Sequence, residues 1–107
     1  MASRTLHLII YRQAANQRAH FAIFVPSAAD PESGTKIHVV GAPMVGYRLE
    51  FKRHYFPTRT NQHHEMISIG QIDSSNIVDD TTYISRTDET PTDKLEEAAA
   101  QIKPPGI

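Results

Sequence analysis

The chain has 107 residues, with 11 Lys+Arg against 12 Asp+Glu and no cysteine. That length fits one domain, and the near balance of charge excludes a strong general pull toward nucleic acid or an anionic membrane surface. Without cysteine there is no disulfide framework and no thiolate zinc site, which favours a reducing, cytoplasmic setting.

Residues 5–11 (TLHLIIY) have the length and apolar content of a buried strand. The run is too short for a signal h-region or a membrane span, so no membrane span is expected. Residues 12–18 are polar and read as a loop. Residues 20–25 (HFAIFV) make a second strand, stopped by Pro26, which cannot donate to a ladder. Residues 27–34 (SAADPESG) carry turn chemistry, and residues 36–40 (KIHVV) form a third strand closed by Gly41, Ala42 and Pro43. Residues 46–55 (GYRLEFKRHY) alternate: Tyr47, Leu49, Phe51, Arg53 and Tyr55 share one face. Arg48, Glu50, Lys52 and His54 share the other, which is predicted to be wet. A fifth strand is predicted over 65–72, after a polar loop at 57–64.

From Ser74 the character changes. SSNIVDD predicts a short helical turn capped by Ser74 or Ser75, and residues 79–91 a polar surface run. Asp93 opens an amphipathic helix with Glu96 as its capping-box partner and Leu95, Ala98, Ala99 and Ile102 as the apolar stripe. So short a helix must dock on the sheet or on another chain. The expected fold is α+β, a single domain over 1–107: a strand-rich part over 5–72, a surface segment over 73–91 and a C-terminal helix over 93–102. About five mostly antiparallel strands would form a curved sheet or small barrel.

Six histidines in so short a chain are its most unusual feature. His20 shares a strand face with Ala22 and Phe24, and His38 shares one with Val40. On neighbouring strands the two imidazoles would lie on one sheet face, where histidine suits proton transfer near neutral pH. The alternative is that each caps a strand end or fills a half-buried site. His63, His64 and Glu65 look like a metal cluster, but adjacent strand residues point to opposite faces, so a solvated loop is expected and no metal site. His54 is expected on an exposed ladder, and His7 as a satisfied core or edge histidine. Asp79 with Asp80, and Asp88 with Glu89, are expected to be solvated acids. Neither a glycine-rich phosphate loop nor GxSxG is present, nor does an activating pattern mark Ser74 or Ser75, and no cofactor is expected.

The stretch HFAIFVP, a short loop and GTKIHVVG, together residues 20–41, resembles the His-strand-loop-His segment of the NlpC/P60 superfamily, especially its permuted lecithin retinol acyltransferase-like branch. More of the chain, including GYRLEFKRHY, looks like a group of small fungal proteins of uncharacterised function. The superfamily resemblance implies a papain-like fold, here a small antiparallel barrel packed on helices, and thiol-based hydrolysis or acyl transfer. His20 would be the general base and His38 the polar member that orients it. They would serve a cysteine on a following helix, whose N-terminus lowers the thiol pKa.

This chain has no cysteine, and it ends at Ile107, about where such a helix would begin. The expectation is therefore a catalytically incomplete NlpC/P60-like barrel acting as a binding or interaction module. It would take a small molecule or peptide in a cleft near His20 and His38, or a protein partner. The alternative is the front portion of a thiol hydrolase or acyltransferase whose cysteine helix lies beyond Ile107 or on another chain. A third reading is a homodimer, formed by exposed sheet edges or by the helix at 95–102 covering a neighbour.

Overall fold

The computed structural model describes residues 2–11, 20–42, 46–59, 64–80 and 84–101, the side chains of residues 20, 41, 42, 46 and 47 excepted. Among the described residues six strands form one open antiparallel sheet, in keeping with the expected mostly antiparallel α+β fold. They are β1 (Ser3–Tyr11), β2 (His20–Pro26), β3 (Gly34–Ala42), β4 (Gly46–Tyr55), β5 (His64–Asp73) and β6 (Arg86–Asp88), in the order β5-β1-β2-β3-β4-β6. An α-helix, α1 (Lys94–Gln101), follows. No helix among the described residues is long and apolar enough to cross a membrane.

Both faces of the sheet carry a core, because the apolar residues of β1 and β2 occur at successive positions rather than at alternate ones. On one face Val25, Ile37 and Phe51 pack with Leu6, Ile23, Leu49 and Ile77, and α1 covers them with Leu95 and Ala99. On the other face Ile9, Tyr11, Ala22 and Phe24 pack together, with Tyr55 against them. Burying side chains such as Phe24, Phe51 and Ile9 contributes roughly 1.5–3 kcal/mol each. The edge strand β5 is thinly covered, with Met66, Ile67 and Ile69 about half exposed.

The helix begins as its sequence predicts, with Asp93 Oδ1 accepting from the Glu96 N–H at 2.8 Å. The reciprocal half of the capping box is absent. The Glu96 carboxylate instead accepts from the Thr92 N–H at 3.0 Å and pairs with Arg53 on β4. Ala98 is exposed, so the docked stripe is Leu95 and Ala99 with Glu96 beside them; Ile102 lies outside the described residues. The 3-10 turn Ser74–Asn76 is capped by Asp73, not by Ser74 or Ser75, through a bond from the Ser75 N–H at 2.9 Å.

Two departures from simple alternation matter for the site. Arg53 lies on the helix face beside Phe51, but His54 adopts a left-handed φ of 51°. The β3–β4 register shifts there, so Tyr55 pairs with Gly34 and joins the opposite face, with Tyr11. Such a local kink turns a strand's side chains over. Gly34 is needed at this crossing, since a Cβ on it would sit 2.0 Å from the Val25 carbonyl oxygen.

Candidate functional site

The face of β4 expected to be wet is the one that builds a site. Cross-strand pairs on β3 and β4 set Lys36 opposite Lys52 and His38 opposite Glu50, and all share the face of Tyr11 and Tyr55. Lys36 and His38 are each only 7 % exposed. The register does this: Lys36 pairs with Phe24 and His38 with Ala22 on β2, so both basic side chains sit over an apolar floor.

A cavity of about 610 Å³ opens at the Lys36 end of this face. Tyr11, Tyr55 and Phe56 wall it, and Lys36, Lys52 and Arg59 bring charge to it. The Lys36 ammonium lies 4.7 Å from the Tyr11 ring centroid and 4.5 Å from that of Tyr55, and donates to the Tyr11 hydroxyl at 3.2 Å. The Tyr11 and Tyr55 hydroxyls meet at 2.6 Å. Arg59 stacks on Phe56, its guanidinium carbon 3.7 Å from the ring centroid.

Burial pushes the Lys36 pKa down from 10.5 to about 8, with repulsion from Lys52 adding to it and attraction from Glu50 opposing. Burial also raises the Tyr11 pKa, helped by its bond to Tyr55, so its phenol stays protonated. No carboxylate among the described residues forms an ion pair with Lys36, Lys52 or Arg59. The neighbouring Glu50 is engaged by His38 at 3.2 Å and by Arg48 at 3.3 Å.

Of the predicted histidine pair, only His38 has its side chain among the described residues. His38 is buried and bonded through Nε2 to Glu50, but it does not line the cavity. His20 pairs with Tyr11 and stands two positions along β2 from Ala22, the partner of His38, so the two positions match in alternation on neighbouring strands. The His20 side chain lies outside the described residues.

Two of the other histidines, His54 and His64, are placed differently from expectation. His54 is no member of an exposed ladder; it borders the cavity and a second one of about 280 Å³, with its ring edge-on to Phe56 at 4.7 Å. His64 is not a loop residue but opens β5, one position ahead of Glu65, where the strand was expected to begin, and its ring leans on Tyr11 at 5.9 Å. His63 lies outside the described residues. His7 is half-buried against Phe24, ring centroids 6.3 Å apart. Among the described residues no group of His, Asp or Glu is placed to hold a metal ion.

The acid pairs are not merely solvated. Asp79 bonds Arg4 at 2.6 Å, Asp80 bonds Arg86 at 2.7 Å, Asp88 bonds Arg53 at 3.0 Å and Glu89 bonds Arg48 at 2.8 Å. These contacts stitch the segment before α1 to the sheet. Ser74 is part of the same stitching, its hydroxyl accepting from Arg4 Nε at 3.1 Å.

Lys36, Lys52, Arg59, Tyr11 and Tyr55 were not legible as a site in the sequence. A lysine at a strand start reads as solvated, and Arg59 falls in an expected polar loop. The available signal was that Lys36 and His38 share a strand face with each other and, across a hairpin, with Glu50 and Lys52.

Fold and cavity together define an α+β domain, a six-stranded antiparallel sheet bearing a cationic, aromatic-walled cavity on the face away from its helix. The chain belongs to a family of unknown function, DUF6540, whose model matches residues 6–107. No curated protein and no solved structure matches it.

Proposed function

We propose that this domain is a binding module whose cavity at Lys36 takes a small anionic molecule. The observation that carries the reading is the set of three basic side chains, Lys36, Lys52 and Arg59, that face one cavity without a carboxylate ion-pair partner among the described residues. Cations gathered over a partly apolar floor are costly unless an anion joins them. The walls of Tyr11, Tyr55 and Phe56 add flat apolar surface, which suits an aryl or planar carboxylate better than a bare inorganic ion. The likeness of residues 20–41 to NlpC/P60 domains, and a barrel-like curl of the sheet, belong to the same reading. What supports the curl is that Tyr11 and Tyr55 meet although two strands lie between theirs. The absence of cysteine supports binding over thiol chemistry.

A second reading draws on His38, buried and bonded to Glu50 as an oriented imidazole would be. In it, His20 and His38 are half of a thiol site whose cysteine another chain supplies.

The test is thermal unfolding with benzoate, with inorganic phosphate and with chloride at equal ionic strength. Benzoate is expected to raise Tm most, and the rise to shrink in Arg59→Ala, a change at an exposed residue. Equal response to all three salts overturns the reading.

A further inference from the structure

We propose that Lys36 captures a small aldehyde or ketone bearing an anionic group as a reversible imine on Nζ, an inference that rests on the anion-binding reading of the cavity. Lys36 combines features that rarely meet in one lysine. It is 7 % exposed yet lines an open cavity. It is held between two tyrosine rings and hydrogen-bonded to a phenol, and among the described residues no carboxylate hydrogen-bonds it. Its pKa of about 8 leaves a substantial share of neutral amine just above neutrality. Lys52 and Arg59, on the same cavity, are placed to take the anionic group of a ligand whose carbonyl reaches Nζ.

The chemistry balances without a further reactant. The neutral Nζ lone pair attacks the carbonyl carbon; the C–N bond forms as the C=O π pair moves to oxygen, which takes up a proton. The resulting carbinolamine loses its hydroxyl and the remaining amine proton as water, leaving C=N. Amine plus carbonyl gives imine plus water, and nothing is oxidised or reduced. The Tyr11–Tyr55 hydroxyl pair beside Nζ supplies a relay for these protons, because Tyr11 is held as the neutral phenol.

Reductive trapping on the intact chain tests this, with 4-carboxybenzaldehyde and cyanoborohydride, read by intact mass and peptide mapping. Lys94, exposed on α1, is the internal reference. Labelling of Lys36 is expected on the order of tenfold faster than of Lys94 at pH 8. It should be suppressed by excess benzoate, slower with uncharged benzaldehyde, and lost in Lys36→Met. Labelling spread evenly over the lysines overturns the imine inference, and a persisting benzoate rise in Tm would then leave the anion-binding reading standing. Fast labelling of Lys36 that ignores both benzoate and the charge of the aldehyde overturns the anionic-ligand requirement and the reading beneath it.

Discussion

The hydroxyls of Tyr11 and Tyr55 meet at 2.6 Å although β1 and β4, the strands that carry them, are separated by β2 and β3 in the sheet. The contact closes one wall of the cavity and holds Lys36 beneath it. Tyr55→Phe removes one partner and is expected to cost about 1 kcal/mol of stability. Tyr11→Phe also takes the acceptor from Lys36, so it should cost more, about 1–3 kcal/mol. Urea unfolding of the two variants and their double mutant measures the difference; equal losses that simply add would show that the hydroxyls do not act together.

Arg53 and Glu96 are each 2 % exposed and paired through both carboxylate oxygens, one at 2.8 Å. Burial by itself would lower the Arg53 pKa, and its bonds to Glu96 and Asp88 more than offset that, so the guanidinium stays charged. Glu96→Leu should destabilise by about 3–5 kcal/mol by removing the buried carboxylate of the pair and leaving the guanidinium, among the described carboxylates, only the part-exposed Asp88. The double variant Arg53→Met, Glu96→Leu should recover most of that loss in denaturant melts.

The pH dependence of stability follows from Lys36 and Tyr11. The Lys36 pKa is lowered from 10.5 in the open chain to about 8 in the fold, so between those values the unfolded chain binds more protons. Stability therefore rises with pH from about 8, and below that value the cost of burying the ammonium is present in full. Tyr11 acts in the opposite sense above pH 10, its ordinary pKa, because the fold keeps its proton while the unfolded chain gives it up. Denaturant midpoints measured from pH 7 to 11 should peak near pH 10, and Lys36→Met should remove the rise on the lower side.

His38→Ala deletes a part-buried bond and leaves Glu50 paired, among the described residues, with Arg48. A loss of about 1–3 kcal/mol is expected, with benzoate binding weakened much less than by Arg59→Ala. If His38→Ala instead abolishes binding while preserving stability, the site is centred on the histidine and not on Lys36.

Asp93 caps α1 through one carboxylate oxygen and accepts from the Val78 N–H at 3.0 Å through the other. Asp93→Ala should cost about 2 kcal/mol, the upper end for a helix cap, since it also frees the segment before the helix. Hydrogen exchange of Glu96 and Val78 amides would read both effects at once.

The residues themselves determined most of the local structure. Residues 46–55 predict β4 to the residue, the apolar runs place β1, β2, β3 and β5, and Asp93 marks the start of α1. Periodicity and capping act within a few residues of chain, so they survive without knowledge of the fold. Other features depended on contacts far apart in sequence. Only the tertiary structure decided that both faces of the sheet are covered, so alternation alone mis-assigned the wet face of β4. The three residues of β6 have no apolar pattern; they pair because Asp88 meets Arg53, 35 positions away. The turn of backbone at His54 moved Tyr55 across the sheet to Tyr11, 44 positions away, and so made the cavity. A cation becomes a site when its desolvation outweighs the attraction of the charges around it, and both are properties of what surrounds Lys36, not of the letters beside it.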